Sequence, residues 1–89
     1  MEIKFKNTFL KDLEKLPKDI KEEVKTLVFR DIPKLPDISQ IGSLKKIKGK
    51  ETFYRIRTGD YRLGFEFKNK STLVFYRVLH RKDIYRYFP

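Results

Sequence analysis

Two strings in the second half of this chain hold most of its capacity for chemistry: Tyr54-Arg55-Ile56-Arg57-Thr58-Gly59-Asp60-Tyr61-Arg62 and His80-Arg81-Lys82-Asp83-Ile84-Tyr85-Arg86. Strand alternation sends residues i and i+2 to the same side of a sheet, so Arg55 and Arg57 leave one face while Tyr54, Ile56 and Thr58 leave the other. A guanidinium stays charged at any physiological pH and presents a fixed fork of donors that suits phosphate. Evenly placed arginines on one face therefore point to a phosphate-bearing ligand.

The rest of the composition narrows the chemistry. Eighty-nine residues make one domain, spanning 1–89, with a core just large enough to fold unaided. Lys and Arg number 22 against 12 Asp and Glu, a net charge of +10. Self-repulsion on that scale is best relieved by an anionic partner, with nucleic acid the first candidate and an acidic protein or anionic membrane surface behind it. No apolar run approaches the roughly 20 residues a bilayer crossing requires. The stretch Met1 to Lys6 alternates charged with apolar side chains and lacks the hydrophobic region of a signal peptide. There is no cysteine, so disulfides and thiolate metal sites are excluded and a cytosolic, cytoplasmic setting is expected. With His80 the lone histidine, a histidine-based metal cluster is excluded as well, and no metal or other cofactor is expected. Catalysis here falls to arginine, lysine, tyrosine, carboxylates or backbone groups.

Glu2 to Lys6 alternates and reads as a first strand, after which Asn7 or Thr8 offers a side-chain oxygen as an N-cap. Leu10, Leu13 and Leu16 follow at helical spacing up to Pro17, which hinges into a second helix carrying Ile20, Val24, Leu27 and Val28 and ending near Pro33. Residues 33–42 have loop composition, and Leu44 to Lys48 begins another strand. Phe53–Thr58, Tyr61–Phe67 and Thr72–Leu79 alternate well and are separated by turn signals at Gly59-Asp60 and Asn69-Lys70. The expected fold is α+β: an N-terminal strand, a helical hairpin, a three-stranded antiparallel meander with helices packed on one face of its sheet, and a short C-terminal helix.

A two-residue turn at Gly59-Asp60 sets Arg57 across from Arg62, Ile56 from Leu63, Arg55 from Gly64 and Tyr54 from Phe65. The same turn at Asn69-Lys70 sets Arg62 across from Arg77, Leu63 from Tyr76 and Phe65 from Val74. One face then gathers Tyr54, Ile56, Leu63, Phe65, Val74, Tyr76 and Val78 for the core. The other carries a row of Arg57, Arg62 and Arg77. Like charges directly across a sheet cost about 0.2 to 1 kcal/mol per pair, so stability alone does not build such a row. Gly64 beside it leaves room for a ligand backbone or ring to approach. In the closing segment, Ile84 and Phe88 are one helical turn apart and suit anchoring on the core, while Arg81 and Tyr85 share a neighbouring exposed face.

In order and spacing these strings resemble the RelE/ParE superfamily of small toxins from bacterial and archaeal toxin-antitoxin pairs, and within it the RelE-like messenger-RNA interferases. The resemblance rests on Ile47-Lys48-Gly49, Tyr54-Arg55-Ile56-Arg57, Gly59-Asp60-Tyr61-Arg62-Leu63 and His80-Arg81-Lys82-Asp83-Ile84-Tyr85-Arg86. It implies a ribosome-dependent endoribonuclease that enters the A site and cuts the messenger. The 2′-hydroxyl would attack the adjacent phosphate without metal, and a cognate antitoxin would cover the active surface. It assigns transition-state stabilisation to Arg62 and stabilisation or protonation of the leaving oxygen to Arg81. Tyr85 would stack on the base or take the 2′-hydroxyl proton. Lys48, Arg55 and Arg57 match basic positions that contact RNA, and Lys45, Lys46 and Arg77 extend that basic surface.

The chain departs from the best-known members in two ways. The spacing from Arg81 to Tyr85 is shorter, which brings Tyr87 forward as a substitute for Tyr85. Arg55 and Arg57 stand where lysines are common, and arginine practically cannot serve as a base. The general base is then Tyr85, Tyr87 or His80, and a tyrosine acts only where neighbouring cations lower its pKa. Blander readings stand beside these: a solvated basic run for Lys45, Lys46, Lys48 and Lys50, packing for His80, and a structural arginine partner for Asp83. Two functions of other classes compete, a ParE-like inhibitor of DNA gyrase without nuclease activity and a basic RNA-binding module without chemistry.

Overall fold

The computed structural model describes all 89 residues. Strand β1 (Glu2–Phe5) leads into helix α1 (Asn7–Glu14) and, across Pro17, into α2 (Lys18–Lys25), which runs on as a π-helical segment through Asp31. Short 3₁₀ turns at Ile32–Lys34 and Ile38–Gln40 precede β2 (Leu44–Lys46), β3 (Phe53–Thr58), β4 (Tyr61–Lys68), β5 (Thr72–His80) and the closing helix α3 (Ile84–Tyr87). The five strands form one sheet in the order β1-β5-β4-β3-β2, with β1 parallel to β5 and the other neighbours antiparallel. The expected α+β order is the observed one. No helix is long and apolar enough to cross a membrane.

The core lies between the sheet and the helical hairpin. Phe9 and Leu13 from α1, Leu16 just after it, Val24 from α2 and Val28 from its π-helical continuation meet Ile56, Leu63, Phe65, Leu73, Phe75 and Val78 from the strands. The buried stripe therefore runs 9, 13, 16, and Leu10 faces outward, 41% exposed. Phe9 outcompetes Leu10 because its ring reaches both Phe5 and Phe75, with centroids 5.5 and 5.3 Å away.

Helix α1 also shields the edge of β5 beyond the point where β1 stops. Lys6 N–H donates to Phe75 O at 2.9 Å, Thr8 Oγ1 donates to Tyr76 O at 2.8 Å, and Val78 N–H donates to Asp12 Oδ2 at 3.2 Å. Thr8 is thus not the expected N-cap. Lys6 holds that position without a side-chain cap, because the threonine hydroxyl satisfies an otherwise open strand edge.

The first hairpin has the expected register, with Arg57 across from Arg62, Ile56 from Leu63, Arg55 from Gly64 and Tyr54 from Phe65. The second does not. Three residues separate Lys68 from its partner Thr72, with Asn69 and Lys70 both in the left-handed region at φ 53° and 60°. A bulge at Gly64/Phe65 then adds a second shift, so Arg62 faces Leu79, Leu63 faces Val78, Gly64 faces Arg77 and Phe65 faces Phe75. Phe75 replaces Val74 and Tyr76 on the core face. The row of Arg57, Arg62 and Arg77 does not form.

Candidate functional site

What forms instead is a pair of rows on the face away from the helical hairpin. Lys45, Arg55, Gly64 and Arg77 lie in register across β2 to β5, and Arg57, Arg62 and Leu79 make the next row across β3 to β5. Two like-charge pairs sit directly opposite one another, Lys45 with Arg55 and Arg57 with Arg62. These four cations line a cleft of about 370 Å³ together with Ser43, Leu44 and Tyr85. None of its lining residues is a carboxylate, so the positive charge is left for a ligand to neutralise.

Each cation is held differently. Arg62 Nη1 donates to the carbonyls of Gly59 and Tyr61, both at 3.0 Å, which folds its side chain back along the β3–β4 turn and orients the fork. Arg55 stacks on Tyr85, its guanidinium carbon 4.4 Å from the ring centroid. Arg55 Nε is buried and has no acceptor in the protein, an unsatisfied charged donor beside the cleft.

Tyr85 is 69% exposed, at the cleft wall. Hydrogen bonding from Arg55 and its positive charge, with smaller coulombic help from Lys45 and Arg62, hold the phenol below the usual tyrosine pKa against a slight desolvation effect. Tyr87 stands elsewhere, with the Arg77 guanidinium 5.2 Å from its ring centroid. His80 accepts the Lys82 N–H at Nδ1 over 3.2 Å and meets Tyr61 edge-on at 5.4 Å. That bond engages the imidazole in shaping the turn after β5.

The other expected residues are distributed around this centre. Arg81 is not in the cleft lining. It lies in the turn before α3, where its N–H donates to Asp60 O at 2.7 Å and its Nε is 3.8 Å from Asp60 Oδ1. Arg62 and Arg81 are therefore both tied to the Gly59–Asp60 turn, and Asp60 rather than Asp83 is the carboxylate partner of Arg81. Lys46 and Lys48 line a separate shallow hollow of about 290 Å³ with Ile47, Gly49, Lys50 and Glu51, on the loop joining β2 to β3.

Arg77 does not belong to the phosphate-facing set. Its Nε and Nη2 donate to the two oxygens of Asp12 at 2.7 and 3.0 Å, so its charge is neutralised and its fork occupied. The room beside Gly64 is not a ligand's either, because the ring of Phe88 fills it. Ser43 and Leu44 are lining residues that the sequence did not single out. The available signal was Gly42-Ser43 as a turn just ahead of the lysine run, where Ser43 adopts φ 59°.

Comparison with known proteins agrees with this architecture. A family described as the ParE toxin of type II toxin-antitoxin system, parDE, matches residues 3–85. The chain is similar to Toxin RelE3 of Methanocaldococcus jannaschii, 44% identical over 91 residues with all of both chains covered. It is also similar to a chain of the RelB-RelE antitoxin-toxin complex from Methanococcus jannaschii, at 43% identity and TM-score 0.79 over 97% of this chain and 99% of that one. A chain of the toxin-antitoxin complex RelBE2 from Mycobacterium tuberculosis matches at 29% identity and TM-score 0.71, covering 90% and 96%. The isolated E. coli RelE toxin, at 18% identity and TM-score 0.66 over 98% of each chain, shares the fold.

Proposed function

The chain belongs to the RelE/ParE superfamily and is the toxin of a type II toxin-antitoxin pair, and from that premise we propose that it is an endoribonuclease that cuts messenger RNA in the ribosomal A site. The observation that carries this reading is Tyr85, a phenol depressed by Arg55 and set in the wall of a cleft whose other ionisable groups are all cations. Such a group takes a proton, and such a cleft favours the charge that builds up on a phosphorane.

In the proposed reaction Tyr85 removes the proton of a 2′-hydroxyl, whose oxygen attacks the adjacent phosphorus as the bond to the 5′ oxygen breaks. The products are a 2′,3′-cyclic phosphate and a 5′-hydroxyl. Arg62, held by its two carbonyl tethers, donates to the equatorial oxygens, and Arg55 adds its positive charge from the cleft lining. The leaving 5′ oxygen takes its proton from water, since arginine does not give up its own readily, and Arg81, outside the cleft lining, contributes long-range positive charge from the turn before α3. No step calls for a metal ion. Lys45 and Arg57 contact the RNA within the cleft, and Lys46 and Lys48 on the β2–β3 loop hold flanking phosphates of messenger or ribosome. The relatives' complexes with RelB support a cognate antitoxin as the partner of this chain.

The match to the ParE family favours a second reading, inhibition of DNA gyrase without RNA cleavage. Mapping messenger 5′ ends after induction separates the two. New ends within codons support the nuclease. DNA damage without such ends replaces it with gyrase inhibition.

A further inference from the structure

Helix α3 is only four residues long, and a single turn does not hold its own shape in water. Two anchors impose that shape. Ile84 is fully buried and Phe88 4% exposed, and Phe88 N–H donates to Ile84 O at 2.9 Å. The Phe88 ring packs beside Phe53 and Tyr76, with centroids 5.6 and 5.7 Å away, and lies on Gly64. A Cβ at position 64 would meet three carbons of that ring at 2.4 to 2.6 Å, closer than atoms can approach.

Gly64 does not adopt a positive φ, so its backbone conformation is open to any residue. Glycine in a central strand weakens the strand, and here the aromatic ring lying on it explains why it is present. Its neighbour in the β3–β4 ladder is Arg55, the residue stacked on Tyr85. The seat of Phe88 and the partner of Tyr85 thus occupy one row of the sheet, and Tyr85 is carried on the turn that Phe88 closes.

We propose that Gly64 and Phe88 are positioning residues: the ring seated on the glycine locks the closing helix so that Tyr85 is held against Arg55 at the cleft wall. The kinetic part of this inference rests on the RNA-cleaving reading, whereas the structural part does not. Removing the ring by Phe88→Ala or displacing it by Gly64→Ala frees the end of α3 and separates Tyr85 from Arg55. The Gly64→Ala backbone is unstrained, so that variant keeps its fold while losing the seat.

The test is an NMR titration of the chain labelled with ¹³C at the tyrosine ring carbon bearing oxygen, the Tyr85 signal being assigned by its loss in Tyr85→Phe. In the unsubstituted chain Tyr85 titrates below the ordinary tyrosine range. In Phe88→Ala and in Gly64→Ala it moves up toward that range. The Gly64→Ala/Phe88→Ala double variant, which has room for the new methyl, moves no further than either single one, because all three remove the same contact. In parallel, single-turnover cleavage on ribosome complexes falls on the order of 10- to 100-fold with substrate affinity little changed. A folded Gly64→Ala chain whose Tyr85 titrates as in the unsubstituted protein overturns the proposal, as does an unchanged cleavage rate in an active enzyme. If the unsubstituted chain cuts no RNA, the functional reading fails while the titration still decides the positioning role.

Discussion

Asp12→Ala tests how the fold separates structural from functional arginines. The Asp12 side chain is 9% exposed and accepts two hydrogen bonds from Arg77 at 2.7 and 3.0 Å and a third from Val78 N–H at 3.2 Å. Deleting it leaves a strand-edge N–H without an acceptor, at about 1–3 kcal/mol, and Arg77 without its counter-charge. Removing one partner of a fully buried pair costs about 3–5 kcal/mol. The Arg77 side chain retains 24% of its exposure and can turn toward solvent, which discounts that figure. The combined loss is about 3 kcal/mol, and at roughly 4–8 °C per kcal/mol for a domain this size Tm falls by roughly 12–24 °C in thermal unfolding followed by circular dichroism. Asp12→Asn keeps an acceptor for Val78 and loses about half as much. Arg77→Ala destabilises as well, and a double-mutant cycle with Asp12→Ala returns a favourable coupling. At a temperature where both are folded, Arg77→Ala retains RNA affinity while Arg57→Ala loses it. A change in Tm of only a degree or two in Asp12→Ala, or equal affinity losses in Arg77→Ala and Arg57→Ala, would refute this division.

Arg62→Ala should lower cleavage on the order of 10²–10³-fold, and Arg81→Ala, outside the cleft lining, by less, each easing growth arrest with circular dichroism and antitoxin binding unchanged; undiminished toxicity in a soluble double variant counts against both roles. Because the Tyr85 phenol lies below its ordinary pKa, the phenolate fraction rises tenfold per pH unit up to that pKa, so single-turnover cleavage climbs with pH and levels off below about pH 10. Tyr85→Phe removes the slope, and a slope surviving in that variant assigns the base elsewhere. Lys48→Ala should weaken ribosome binding and flatten its salt dependence without slowing the chemical step; a single-turnover rate that falls as far as affinity contradicts this.

The parts of the molecule that local rules govern were legible in the sequence. Gly59-Asp60 makes a two-residue turn, and the β3–β4 register follows from it, including the Arg57–Arg62 pair. Pro17 separates the two helices, and the closing turn buries Ile84 and Phe88 as their spacing implies. The misreadings have a different origin. The β4–β5 register depended on a third loop residue and on a bulge, neither of which alternation can register. Thr8 and Asp12 bond to β5 across 68 and 65 residues of sequence or more, and no window along the chain shows that. Gly64 was read as room for a ligand backbone or ring, but the ring of Phe88, 24 residues along the chain, fills it.

The contrast between Arg77 and the cleft arginines bears on function. Arg77 comes with a carboxylate placed to neutralise it, so the fold is able to compensate a guanidinium on this sheet. Lys45, Arg55, Arg57 and Arg62 receive no such partner and are set in two directly opposed like-charge pairs, which destabilise the chain by roughly 0.4–2 kcal/mol in total. Against a typical stability of about 5–15 kcal/mol that is a tolerable fraction, but it brings no gain in packing. The buried, unpartnered Nε of Arg55 adds to it. A phosphate backbone in the cleft relieves the like-charge terms together, because its anionic oxygens lie between both pairs. On the proposed reading, the like-charge strain in the cleft and the affinity for RNA have the same source, and a substitution that removes one, such as Arg57→Ala, is expected to diminish the other.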